Sequence, residues 1–291
     1  MIGNTPTEQP VLQALPVRSV DDSEYDQHLR NLSIYGYTIV PKFADTWLVK
    51  RLKGLVEGYW REVESERYRG RPDRDSGDML VYSLQNRERI FIDLLGVPFV
   101  RRLCMAKLND QFYRFLPVDK PNYILSYYNA RSSGGKLDLH IDSYVPSPGP
   151  WCTAMQVVYM LENGSEENGC TVVVPGSHKS GEFTDRSLRN VVPILANAGD
   201  VVIWDSRLWH GTAANATKTS RWALVATLTQ WWMKQKMDIP RSLPERIYRE
   251  LNDEQKVLLG FCSMPPLDEN ERINTKCGYD FLKPSVDDYF R

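Results

Sequence analysis

The chain contains four histidines, at positions 28, 140, 178 and 210, and one of them stands in a pattern that could do chemistry. In Leu137-Asp-Leu-His140-Ile-Asp142 the residue types alternate with the period of a strand, and residues two apart on a strand project from the same face. His140 and Asp142 therefore converge, while Leu139 and Ile141 face the other way. An imidazole and a carboxylate on one face are two of the three ligands of a 2-His-1-carboxylate facial triad, which leaves three metal positions open. The same two residues would also suit a hydrogen-bonded pair on a wet surface, so a third ligand decides the matter. His210 is the candidate, at the end of Gly199-Asp-Val-Val-Ile-Trp-Asp-Ser-Arg-Leu-Trp-His210-Gly-Thr, where a turn, a strand and a second bend return it to the end of a barrel strand. Eleven residues later Arg221 opens Arg-Trp-Ala-Leu-Val-Ala-Thr-Leu and shares a strand face with Ala223, Val225 and Thr227. A buried guanidinium among small apolar neighbours is costly unless paired, and its planar fork suits a carboxylate held in two-point contact.

The other candidates are weaker. Asp138 lies two residues before His140 and would share its pocket if the strand is regular, offering an acidic group to a cationic or hydroxyl-rich substrate; a rim residue turned to water is the alternative. Trp204, Trp209, Trp222, Trp231 and Trp232 read as barrel core, with Trp209, beside His210, as the one expected to reach substrate. His178 follows Pro-Gly-Ser and reads as part of a turn, and His28, in a charged helical stretch, reads as a solvated surface residue.

These side chains need a scaffold. With 291 residues, 42% hydrophobic and 25% charged, the chain is long enough for one large core with appended helices. Lys and Arg number 36 against 37 Asp and Glu, so no broad field draws it to nucleic acid or anionic lipid. It has no run of 18 apolar residues and no basic-then-apolar leader, so no membrane partner and a cytoplasmic location are expected. Five scattered cysteines without a Cys-x-x-Cys pair read as free buried thiols, and neither glycine-rich nucleotide motif occurs. Residues 1–20 read as a flexible arm and 21–291 as one domain: helices over 21–120, a β-barrel over 121–232 and a helical tail over 233–291. In the first part Asp45 is the expected N-cap of an amphipathic helix carrying Leu48, Leu52, Leu55, Val56, Tyr59 and Val63, and helical period returns from Arg87 to Phe115. The polar Arg67–Asp78 stretch is a loop. Short strands follow in close succession (Tyr123–Tyr128, Leu137–Tyr144, Thr153–Leu161, Thr171–Val174, Val191–Leu195, Val201–Trp204 and Trp222–Trp231), which indicates an antiparallel sandwich or barrel. A last helix is expected over Pro244–Leu259.

The combination of His140-x-Asp142, His210 and Arg221 resembles the iron(II)- and 2-oxoglutarate-dependent oxygenases, specifically the phytanoyl-CoA dioxygenase-like branch. Gly36-Tyr-Thr-Ile-Val-Pro is similar to its opening strand, Glu167-Asn-Gly-Cys-Thr-Val-Val-Val-Pro-Gly-Ser-His178 to its Asn-Gly-x5-Pro-Gly-Ser-His signature, and Gly199-Asp leading to His210-Gly-Thr-x-x-Asn215 to its distal motif. The likeness covers roughly residues 30 to 260. It implies a mostly β fold with flanking helices, a double-stranded β-helix of the jelly-roll or cupin-like kind. It assigns His140, Asp142 and His210 to iron, Arg221 and Thr212 to the far carboxylate of 2-oxoglutarate, and further co-substrate contacts to Ser126 or Tyr128 and to Gln156.

The implied activity is hydroxylation of an unactivated C–H bond of a small molecule, in natural-product or specialised metabolism, with O2 consumed and succinate and CO2 released. Desaturation, epoxidation or cyclisation would use the same chemistry. Asp142 fills the position that a halogenating site would vacate for chloride. A zinc hydrolase and a non-catalytic metal-binding barrel are the rival readings; the first lacks a general base and gives Arg221 no purpose. Specificity is expected in the Arg67–Asp78 and Ser143–Trp151 loops, and the chain is expected to be a monomer or a homodimer.

Overall fold

The computed structural model describes residues 15–67, 78–112, 116–117, 119–143, 145–181, 190–217 and 219–264. Most of the expected N-terminal arm, the bulk of the Arg67–Asp78 loop and the chain beyond residue 264 lie outside them. Residues 15–20 are held rather than free: Val17 bridges to Ala44, and Arg18 donates to the Pro41 carbonyl and to both Glu24 carboxylate oxygens.

Helix α1 (Asp22–Tyr35) starts at Asp21, whose carboxylate accepts the Glu24 N–H, and stops at Gly36, whose φ of 82° is the left-handed conformation that glycine adopts freely. Strand β1 (Tyr37–Val40) follows, then α2 (Thr46–Arg67), capped as expected by Asp45 accepting from Leu48 N–H. Leu48, Leu52 and Val56 of its apolar stripe are fully buried, each worth about 1.5–3 kcal/mol relative to exposure. Strand β2 (Met79–Tyr82) was not foreseen in the sequence; its four residues adjoin the polar loop. The single helical stretch expected over 87–115 is two, α3 (Arg89–Leu95) and α4 (Pro98–Leu108), because Gly96 ends the first and Pro98 can only begin a helix.

The strands are β3 (Ile124–Ser132), β4 (Leu137–His140), β5 (Ala154–Met160), β6 (Thr171–Val173), β7 (Val192–Pro193), β8 (Val201–Asp205), β9 (His210–Thr212) and β10 (Ala223–Thr229). They form two antiparallel sheets, β1-β8-β5-β10-β3-β2 and β4-β9-β6-β7, a jelly roll with the helices on the outside of the larger sheet. Short helices α5 (Ile239–Ser242), α6 (Glu245–Tyr248) and α7 (Asp253–Leu258) close the described chain. The expected continuous helix over 244–259 breaks at Asn252, which makes a capping box with Gln255.

The larger sheet is covered on both faces. Leu125, Tyr128, Met155, Tyr159, Leu224 and Leu228 pack outward with the helices in one core, while Val158, Val202, Trp204 and Ala223 meet Val173 of the smaller sheet and Ile194, just past β7, in a second. Every residue of β5 is consequently buried, and Gln156 is the one amide in an otherwise apolar strand. The expected solvated role of His28 does not hold. Its ring is 5% exposed, with Nδ1 2.8 Å from Thr38 Oγ1, because α1 packs that face onto β1.

Candidate metal centre

His140 and His210 are directly opposed across the β4–β9 pair. Leu137 is opposed to Thr212, so three steps on β4 match two on β9 and one residue of β4 is extra. This bulge explains why Leu137 and His140, three apart, both line the same cavity. It also corrects the expectation for Asp138. The strand is not regular there, and the Asp138 side chain is 88% exposed, 2.9 Å from Lys136 Nζ, outside the cavity. Its carbonyl does the useful work: His140 Nδ1 lies 2.9 Å from it, and His210 Nδ1 lies 2.9 Å from the carbonyl of Leu208. Each imidazole thus donates its Nδ1 proton to the backbone and turns a lone pair at Nε2 inward, the tautomer a metal ligand needs.

Asp142 follows β4. Its N–H and that of Ser143 both donate to the Ser206 carbonyl, so the turn that delivers His210 also anchors Asp142. The His140 Nε2 is 3.7 Å from Asp142 Oδ1 and the His210 Nε2 is 3.3 Å from Oδ2. Among the described residues this is the one group of three His, Cys, Asp or Glu side chains whose ligand atoms lie within 4.8 Å of one another. Burial alone would raise the Asp142 carboxyl, but His210, His140 and Lys236 outweigh it and hold the group at about 2. Burial and the neighbouring His210 push His140 below its ordinary value, which keeps it neutral. Two imidazole Nε2 atoms and an ionised carboxylate on one side of a cavity fit a first-row divalent ion with open positions.

The cavity beside these groups, about 240 Å³, runs between the sheets to Arg221 and Thr212. Arg221 is 5% exposed; its backbone N–H donates to Ser132 Oγ, yet among the described residues its Nε has no partner. Burial, assisted by the charge of Arg131, lowers its pKa. A buried guanidinium with an unanswered donor at the far end of a metal-side cavity is built for an anion.

The remaining expected contacts divide. Thr212 lies in the cavity wall with Arg221. Gln156 is instead bonded to Asp142, its Nε2 2.6 Å from Oδ2. Tyr128 faces the opposite way, edge-on to Phe91 in the outer core. β3 alternates regularly from Tyr127 to Arg131, which turns Tyr128 outward, and a second bulge sets Ser126 apart: Thr227 faces Tyr127 but Leu228 faces Leu125, leaving Ser126 as the extra residue, its Oγ accepting from Lys236 N–H. The cavity is therefore lined by Tyr127, Asn129 and Arg131, the alternate set, none of which the sequence reading named; polar types at every second position of β3 were the available signal. Trp209 is buried away from the cavity, as strand alternation next to His210 requires, and Trp204 takes the place expected of it, its ring 5.2 Å from that of His210. A larger cavity of about 340 Å³ lies against Met155, His178 and Arg207, but Arg207 is fully engaged by Asp205 and the carbonyls of Ser147 and Gly149, pinning the loop after Ser143.

The sequence profile of the phytanoyl-CoA dioxygenase (PhyH) family matches residues 34–223. Among curated relatives, Dioxygenase af480 of Aspergillus fumigatus is 28% identical over 62% of this chain and 59% of its own length, so the chain spans well under two thirds of that protein. An uncharacterised protein of Mycobacterium tuberculosis is 30% identical over 86% of this chain and 91% of its own. Among solved structures, the epimerase SnoN in complex with Fe3+, alpha-ketoglutarate and nogalamycin RO superposes with a TM-score of 0.55 at 17% identity, covering 73% of this chain and 86% of that one.

Proposed function

The chain belongs to the phytanoyl-CoA dioxygenase family, and from that premise we propose that it is an iron(II)- and 2-oxoglutarate-dependent oxygenase that hydroxylates a C–H bond of a small molecule in specialised metabolism. One observation carries the reading. The pinned Nε2 atoms of His140 and His210 meet Asp142 at one end of a cavity whose other end is the buried guanidinium of Arg221, its Nε without a partner among the described residues. Such an arrangement would hold one metal ion and one dicarboxylate. Iron(II) with 2-oxoglutarate and O2 supplies oxidative decarboxylation, releasing succinate and CO2, coupled to oxidation of the substrate.

The protein's part is to position and to exclude water. Arg221 and Thr212 would take the far carboxylate, which sets the keto acid's direction toward the metal end. Val158, Trp204, Ala223 and Val225 supply the apolar part of the wall between the two ends. Asp142 occupies the third ligand position, so chloride has none and halogenation is disfavoured. A hydrolytic zinc centre would leave Arg221 buried without purpose. The specialised-metabolism context is supported by SnoN, whose complex holds nogalamycin RO.

The test is anaerobic addition of iron(II) and 2-oxoglutarate, with a weak charge-transfer band expected at roughly 500 nm for this ligand set, followed by succinate release in air. Asp142→Ala should abolish both while the protein stays folded. Absence of the band and of succinate in well-folded wild type would refute the proposal.

A further inference from the structure

The inner face of the larger sheet carries a polar line that hydrophobic patterning does not explain. Tyr127 on β3 is the direct partner of Thr227 on β10, which is in turn the direct partner of Gln156 on β5. Thr227 and Gln156 are 3% and 0% exposed, among Val158 and Val225. Polar groups taken that far from water are costly unless each is hydrogen-bonded. Here the bonds run in one direction: Thr227 Oγ1 donates to Gln156 Oε1 at 2.7 Å, and Gln156 Nε2 donates to Asp142 Oδ2 at 2.6 Å. The phenol of Tyr127 borders the same two side chains and feels the Asp142 charge.

We infer that Gln156 is a positioning residue for the metal centre: it holds Oδ2 of Asp142 and leaves Oδ1 as the oxygen that binds the ion, with Thr227 fixing which end of the amide faces the carboxylate. The inference rests on the reading of His140, Asp142 and His210 as metal ligands. The amide can sit only one way. With its ends exchanged, Oε1 would face the carboxylate oxygen at 2.6 Å, two acceptors with no proton between them. The Thr227 hydroxyl, spent as a donor to Oε1, holds the correct orientation from the other side. A carboxylate restrained through one oxygen binds through the other alone, which keeps positions at the metal open for the co-substrate and O2.

The experiment is titration of the apoprotein with Co(II), followed calorimetrically and by the visible d–d bands, for wild type, Gln156→Leu, Thr227→Val and Thr227→Ser. Gln156→Leu should bind Co(II) roughly 10- to 100-fold more weakly, the usual loss when an outer partner of a ligand is removed, with altered band intensities as the carboxylate becomes free to chelate. Thr227→Val should show a smaller loss in the same direction, and Thr227→Ser, which keeps the hydroxyl, should restore wild-type binding and spectrum. A folded Gln156→Leu with wild-type affinity and spectrum overturns the inference. Should that variant not fold, equal binding by the Thr227→Val and Thr227→Ser proteins overturns it instead. A wild type that binds no Co(II) refutes the metal centre itself, a different outcome.

Discussion

Replacing Arg221 with Met keeps the aliphatic stem and removes the charge, and the structure sets opposite expectations for the two states of the protein. Arg221 is 5% exposed and its Nε is unpaired among the described residues, so without a bound anion the guanidinium is a buried charge with incomplete compensation. The Met protein should therefore be as stable as wild type or more so when 2-oxoglutarate is absent. With it present, the variant lacks one charge-assisted pair worth about 1.5–3 kcal/mol. At about 1.36 kcal/mol per tenfold, this is a dissociation constant raised roughly 10- to 150-fold. Ligand stabilisation gives the same result in a second measure. At a 2-oxoglutarate concentration 100 times the wild-type constant, wild type gains about 2.7 kcal/mol, whereas the variant gains only about 0.3–1.4 kcal/mol. The assay is anaerobic urea denaturation of the metal-loaded protein with and without 2-oxoglutarate, beside a titration of the visible band. An unchanged gain would show that Arg221 does not meet the co-substrate. A loss above about 2 kcal/mol in its absence would show that the guanidinium is already paired within the fold.

Gly211 offers a separate test, because a Cβ there would stand 2.5 Å from the Leu137 carbonyl; Gly211→Ala should push β4 off β9, cost about 1–3 kcal/mol by overpacking, and weaken Co(II) binding as His140 leaves His210. Equal metal affinity in that variant would mean the two strands can shift without moving the ligands. Acid should destabilise the protein just below neutrality. Burial holds His28, His140 and His178 below their ordinary value of 6.5, so the unfolded chain takes up protons first; the stability they contribute is complete above pH 7 and drains as pH falls through 6.5. His28→Gln should flatten the melting temperature between pH 7 and 5.5 by removing a slope of at most about 1.4 kcal/mol per pH unit, and a slope unchanged from wild type would contradict the assigned burial effect.

What could be read from the sequence was whatever depends on local period. Alternation placed His140 beside Asp142, the three-four spacing of Leu48, Leu52 and Val56 gave α2, and Asp45 announced its start. An irregular strand defeated the same logic: an extra residue in β4 turned Asp138 outward, since a shift of one residue inverts the side a strand presents. Ser126 and Tyr128 were implied by the resemblance alone, and β3 instead presents Tyr127, Asn129 and Arg131 to the cavity. Gln156 was singled out, yet its partner Asp142 lies on another strand's end and no local pattern reports a contact between them. His28 shows the converse: a charged helix conceals one buried polar position whose partner, Thr38, belongs to the following strand.

The opposition of His140 to His210 spans seventy positions of chain, and β1 pairs with the still more distant β8, from Tyr37 against Trp204 to Val40 against Val201. Contacts so distant in sequence form late in folding, because loop closure must come before any gain from pairing. The donor set is thus complete only once β4 has paired with β9, and a metal ion has no full site to nucleate in the nascent chain. The protein should fold on its own clock in the presence of chelator and accept its ion afterwards, so that stripping and reloading leave the polypeptide intact.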